Sequence, residues 1–253
     1  MDNSTSLRTW RIILLVTFIL VPLANYLPIV LDISQDRFTD GADTRVDAAG
    51  YAFSIWGVIF TGMILFAALQ FRTREATRHL LRAYRFLVVA GLASIAFVPI
   101  SFGSNFLWGA VDLLWHLVAL LGAYVALRRH AVEVGRPAFA WTYFAPSMYL
   151  GWISGATVIS LSLALQQLGL ALPDATQIIM ATGLILVLIT LGCYLTINQD
   201  GVYGSTVAWA LIAIAVEQQD AQLVFWAASA GTGLILAVVL WQTLRPGHIF
   251  YPA

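Results

Sequence analysis

Lysine is missing from this chain altogether: its thirteen basic residues are all arginine. That absence excludes a lysine Schiff base, as to retinal or pyridoxal phosphate, and the lysine of a phosphate-binding loop. Charge of either sign is scarce, at 10% of residues, where a soluble domain carries about a quarter. Thirteen acids balance the thirteen arginines, so no surplus of positive charge points to a nucleic-acid partner. The single cysteine, Cys193, cannot form an intrachain disulfide and reads as a small buried hydrophobe. Also lacking are a nucleophile elbow, a Ser/His/Asp arrangement and a glycine-rich nucleotide loop. The chain therefore reads as a non-enzyme with no catalytic residue and no required cofactor.

What fills the sequence is apolar: 60% of residues are hydrophobic and mean hydropathy is +0.83. The expected fold is all-α, a polytopic membrane bundle of eight transmembrane helices near 12–31, 51–70, 84–102, 105–127, 139–164, 176–197, 202–218 and 221–243. The first run competes with a cleaved signal peptide ending near Ala24, but it continues through Leu31, long enough to span. Span seven is short. Residues 32–50 carry five spaced aspartates without the EF-hand pattern and read as a solvated linker. Glu217–Asp220 reads as a solvated turn, Gly201 and Gly204 as turn glycines, and His79, His130 and His248 as solvated loop histidines.

Eight spans with the N-terminus inside put eleven arginines on the cytoplasmic side and two, Arg37 and Arg45, outside. The positive-inside rule is then satisfied with both termini cytoplasmic. Localisation is expected to be multi-pass and integral, in a bacterial plasma membrane.

Polar residues within the spans are few. Asp112 sits in an uncharged run from Asn105 to His116, and a carboxylate at that depth faces a bundle interior, a partner or a ligand. Trp108, Asp112, Trp115 and Ala119 share one helical face, and His116 lies one turn from the acid. The pair reads either as a proton-linked or ligand-orienting device or as interhelical hydrogen-bonding glue. As a metal site it is poor, because a third ligand is missing. Aromatic residues recur on three spans: Phe53, Trp56 and Phe60, then Trp108 and Trp115, then Tyr149 and Trp152. Such rings with one or two polar groups suit a flat, hydrophobic, weakly polar ligand; otherwise they are core or interface-belt residues. The pair Gly151/Gly155 suits close helix packing.

Three stretches resemble the translocator protein / tryptophan-rich sensory protein (TspO/MBR) family. Trp56-Gly57-Val58-Ile59-Phe60 is similar to the Trp-x-x-x-Tyr of that family's second helix. Pro99-Ile100-Ser101-Phe102-Gly103 followed by Ala110-Val111-Asp112-Leu113-Leu114 resembles its turn between helices three and four with the helix-four acid. Tyr149-Leu150-Gly151-Trp152-Ile153-Ser154-Gly155-Ala156-Thr157 is similar to its Tyr-Leu-x-Trp-x-x-x-Ala-Thr on helix five. The likeness covers residues 1–165, which would form a five-helix domain, with 166–253 a three-helix extension. It departs at the paired prolines before helix two, replaced here by Asp47-Ala48-Ala49-Gly50. Ser94 and Phe97 stand for the family's Asn and Trp.

The resemblance implies a pocket for a tetrapyrrole (haem or porphyrin) or lipid, formed by Phe53, Trp56, Phe60, Trp108, Asp112, Trp115, His116, Tyr149 and Trp152. Expected partners are membrane lipids, a hydrophobic small molecule, and a second copy or a membrane-complex subunit. Rival readings are a proton-linked transporter, an enzyme degrading a bound pigment, and a structural subunit of a larger complex.

Overall fold

The structure is a computed structural model that describes residues 3–31, 44–75, 77–102, 105–135, 139–169 and 173–244. Among them all regular structure is helical: α1 (Asn3–Val30), α2 (Ile55–Leu69), α3 (Arg78–Phe102), α4 (Phe106–Glu133), α5 (Phe139–Gln167), α6 (Asp174–Ile197), α7 (Gly201–Glu217) and α8 (Gln222–Leu244). Seven of these, α2 together with its flanking turns, are long and apolar enough to cross a membrane. The chain is a multi-pass helical membrane bundle, as its hydropathy predicts.

Helix α7 has only 17 residues. At 1.5 Å per residue it reaches about 26 Å, short of the roughly 30 Å hydrocarbon layer. Its surroundings explain the tolerance. Tyr203, Val207, Leu211 and Ile214, with the small residues between them, bury most of its surface against protein rather than lipid.

The packing partners give the architecture. Helix α1 packs on α2 and α3, α3 on α4, α4 on α5, and α5 on α2, which closes a ring of five. Helices α6, α7 and α8 pack on one another, and α7 joins this trio to the ring through α5. Small residues make that joint possible. A Cβ at Gly151 would lie 2.9 Å from Thr206 Cβ and 3.1 Å from the Tyr203 carbonyl, and one at Gly155 would lie 3.4 Å from Ala210 Cβ. The Gly151/Gly155 face thus seats α7, as its spacing suggests. Gly204 is no turn glycine: it is inside α7, where a Cβ would collide with Thr196 Oγ1 of α6. Helix α5 kinks at Tyr143 (φ −121°, ψ 15°), three residues before Pro146, which has no N–H to continue the ladder.

The segment before α2 departs from the expected solvated linker. Residues 32–43 of that linker lie outside the described residues. Residues 44–49 are docked against the bundle rather than solvated. Thr44 Oγ1 and N–H both donate to the Asp47 carboxylate (2.7 and 2.9 Å), which folds the turn on itself. Val46 and Ala49 are buried, and the Ala49 N–H donates to the Ala213 carbonyl at 3.0 Å. Trp209 Nε1 of α7 donates to the Ala52 carbonyl at 3.1 Å. Gln218, expected in a solvated turn, is buried and donates to the Thr44 carbonyl at 3.1 Å. Arg45 bridges Asp174 and Asp220, each at 2.7 Å, and so ties this segment to the starts of α6 and α8. Spaced polar residues resembled a linker because their partners lie 129–175 residues away.

Two histidines also differ from expectation. His130 is buried within α4, with Nδ1 2.8 Å from Thr77 Oγ1, and His79 is partly buried on α3. His248 lies outside the described residues.

Candidate ligand site

Tyr149 on α5 is the centre of an aromatic cluster drawn from the five-helix ring. Its ring is fully buried and meets Trp56 of α2 edge-on at 5.9 Å, His116 of α4 at 5.0 Å and Phe18 of α1 at 6.4 Å. Trp56 stacks on Phe60 at 5.0 Å, a consequence of their i, i+4 spacing on α2. Trp152, one turn after Tyr149, meets Trp56 at 6.1 Å and Phe53 at 5.7 Å, both edge-on. Tyr26 of α1 closes on Phe60 at 6.0 Å. Each such edge-to-face pair is worth about 0.5–1.5 kcal/mol beyond area burial, so the wall is held by its own rings. Phe53 (48% exposed) and the half-buried Trp56 form its outer edge.

Polar atoms inside this wall are left over. Both ring nitrogens of His116, the Tyr149 hydroxyl, Trp152 Nε1 and Asp112 Oδ2 are buried, and none has a hydrogen-bond partner. His116, Tyr149 and Trp152 are at most 2% exposed. The Ser94 side chain of α3 is near enough to act weakly on the Tyr149 hydroxyl as a hydrogen-bonding group, short of a full hydrogen bond, and Asp112 acts on it through its charge. Buried polar groups in native proteins are paired in the great majority, and an unpaired one costs about 1–3 kcal/mol. Tyr149 and the three other such side chains form a concentrated, unmet hydrogen-bonding capacity in an otherwise apolar wall. In chemical terms they offer a donor (Trp152), an acceptor (Asp112) and two groups able to be either (Tyr149 and His116).

The expected site residues divide in two. Phe53, Trp56, Phe60, Asp112, His116, Tyr149 and Trp152 converge. Trp108 and Trp115 do not: they are 59% and 62% exposed, on the outer side of α4, and among the described residues neither ring meets another ring. Asp112 therefore sits at the edge of the cluster, not between two buried indoles. Residues the sequence reading passed over join from α1 and α3. Phe18 and Tyr26 add rings, and Asn25 Nδ2 approaches the Ser94 hydroxyl and carbonyl at 3.4 Å. An asparagine amide in a membrane span was the available signal for Asn25. Among the described residues no three His, Cys, Asp or Glu side chains gather to hold a metal.

A second buried acid also escaped the sequence reading. Asp200 caps α7, accepting from the Tyr203 N–H at 2.9 Å and from the Ser147 hydroxyl of α5, and is 2% exposed. Burial pushes its carboxyl above the usual range, against the opposing pull of Ser147, Tyr203, Tyr124 and Arg128. Arg128 in turn donates to the Tyr124 hydroxyl and to the Asn198 carbonyl, both at 2.9 Å. This network fixes α4, α5 and the α6–α7 turn together. Its signal was the Asp-Gly pair that opens α7.

Comparison with curated proteins and with solved structures gives no match. The profile of the TSPO-like protein family matches residues 11–241, which takes in α7 and most of α8 as well as the five-helix ring. With the spans, the helix-two, helix-four and helix-five residues and this match in agreement, the chain belongs to the TSPO-like protein family.

Proposed function

We propose that the protein binds a flat, hydrophobic, weakly polar molecule at the aromatic cluster. A tetrapyrrole or a polycyclic lipid has that chemistry. The role is to sense, sequester or move the molecule in a bacterial plasma membrane, without chemical conversion. The observation that carries this reading is the set of unpaired buried groups on Asp112, His116, Tyr149 and Trp152 beside a wall of rings. Aromatic faces supply area for a planar ligand and the unpaired groups supply orientation. Phe53 and Trp56, at the outer edge, are the side chains that part to admit it. In this reading α6–α8 brace α5 through α7, and both termini are cytoplasmic.

Titration of detergent-purified protein with protoporphyrin IX and with haem, followed by tryptophan quenching, tests the proposal. Saturation at micromolar ligand or below, weakened by Trp152→Phe and by Asp112→Asn, supports it. Quenching that both variants reproduce unchanged overturns the tetrapyrrole reading.

A second reading, proton-linked passage of a small molecule, is favoured by Asp112 and His116 standing one turn apart with unpaired atoms. In proteoliposomes it requires uptake that follows an imposed pH gradient and is lost in Asp112→Asn.

A further inference from the structure

Away from the cluster, at the end of the bundle that carries most of the arginines, the first turns of α3 and the last turns of α4 leave an open groove of about 360 Å³. Its rim is basic: His79 and Arg82 come from α3 and Arg129 from α4. Its floor is apolar, built by Phe86, Leu121 and Val125. The two helices can hold this shape because α4 has Gly122 opposite Phe86. A Cβ there would lie 2.8 Å from the phenyl ring, so the missing side chain is what lets Phe86 lie across the gap.

The rim is unneutralised. Among the described residues no carboxylate lines the groove. Among the described residues, Arg82 and Arg129 are exposed and make neither an ion pair nor a hydrogen bond, while His79 Nδ1 is buried without a partner. Leu121 and Val125 are 44% and 46% exposed, so the floor opens sideways from the bundle towards the lipid. A basic rim at a helix end above an apolar, laterally open floor matches a molecule with an anionic head and a hydrocarbon tail. Basic pockets between transmembrane helices at the membrane surface recognise such headgroups, and guanidinium groups suit phosphate geometry.

We infer that this groove is a binding site for an anionic glycerophospholipid. Arg82 and Arg129 hold the phosphate beside the His79 ring, and an acyl chain lies against Phe86, Leu121 and Val125. The site is separate from the aromatic cluster and stands or falls independently of it.

Native mass spectrometry of the full chain released from detergent tests this, with phosphatidylglycerol and phosphatidylcholine of identical acyl chains as probes. Each basic group near an anionic headgroup contributes roughly a fivefold factor in affinity. The wild type should retain phosphatidylglycerol at least tenfold more tightly than phosphatidylcholine. Arg82→Gln/Arg129→Gln should abolish that preference. The control Arg72→Gln/Arg74→Gln removes the same charge outside the groove and should keep it. Equal retention of both lipids, or equal loss in the control, would overturn the site. So would displacement of the lipid by inorganic phosphate at matched concentration, which would make the occupant a free anion.

Discussion

Replacing Tyr149 with phenylalanine should make the protein more stable and a poorer binder at once. The substitution keeps the ring, and with it the contacts to Trp56, His116 and Phe18 at 5.9, 5.0 and 6.4 Å. It removes only a hydroxyl that is buried and unpaired. An unpaired buried hydroxyl costs about 1–3 kcal/mol, and the small void left by its removal takes part of that back. The net gain is therefore about 1 kcal/mol, or roughly 2–4 °C in melting temperature for a chain of this size. Ligand binding moves the other way, because the hydroxyl would form its hydrogen bond only in the complex. A lost hydrogen bond of about 1 kcal/mol weakens protoporphyrin binding about fivefold. Differential scanning fluorimetry in detergent and a porphyrin titration on the same preparation read both effects. A melting temperature that drops by several degrees would show that the hydroxyl is bonded within the fold, and the argument from unmet polar groups would fail.

Trp108→Phe and Trp115→Phe should leave porphyrin affinity within about twofold, since both indoles face outward, whereas Trp56→Phe should weaken it; the same titration discriminates them. Gly204→Ala should lower stability by about 1–3 kcal/mol by forcing a methyl against Thr196 Oγ1. Adding Thr196→Ala should restore much of the loss, a non-additivity that a double-mutant melting cycle detects. Docking of residues 44–50 should loosen in acid. Arg45 holds the Asp220 carboxyl below its ordinary value of 3.8, so the ion pair's contribution is present above that pH and fades as pH falls through the lowered value. Hydrogen exchange at the Ala49 amide should therefore be protected at neutral pH and lose protection in acid, and Arg45→Gln should remove the difference.

Much of this fold was legible because a lipid-embedded helix announces itself by length and uncharged composition. Facing was harder to read. In a soluble protein a large aromatic residue points inward, but lipid is as apolar as a core, so hydropathy cannot tell the two sides of α4 apart. His116 faces in, Trp115 faces out, and the stripe through Trp108 and Trp115 turned out to be the lipid side. Polarity was the better guide: Asp112 and His116, chosen because charge and imidazole are costly in a span, do meet the cluster at its edge and at Tyr149. The glycine pair on α5 was legible as a packing face, but its partner, α7, was not, because no local pattern encodes a contact with residues some fifty positions later. The docking of Thr44, Val46 and Ala49 was hidden for the same reason.

The central claim is that a planar ligand binds where Tyr149, Trp152 and Trp56 meet. Photo-crosslinking tests it most directly, using a diazirine-bearing porphyrin on the full chain in lipid nanodiscs, followed by peptide mapping. The account predicts label on residues 53–60, across the start of α2, and on α5 between Tyr149 and Trp152, competed away by unlabelled protoporphyrin IX. Label confined to the outer face of α4 around Trp108 and Trp115, or label that the competitor does not displace, would contradict it.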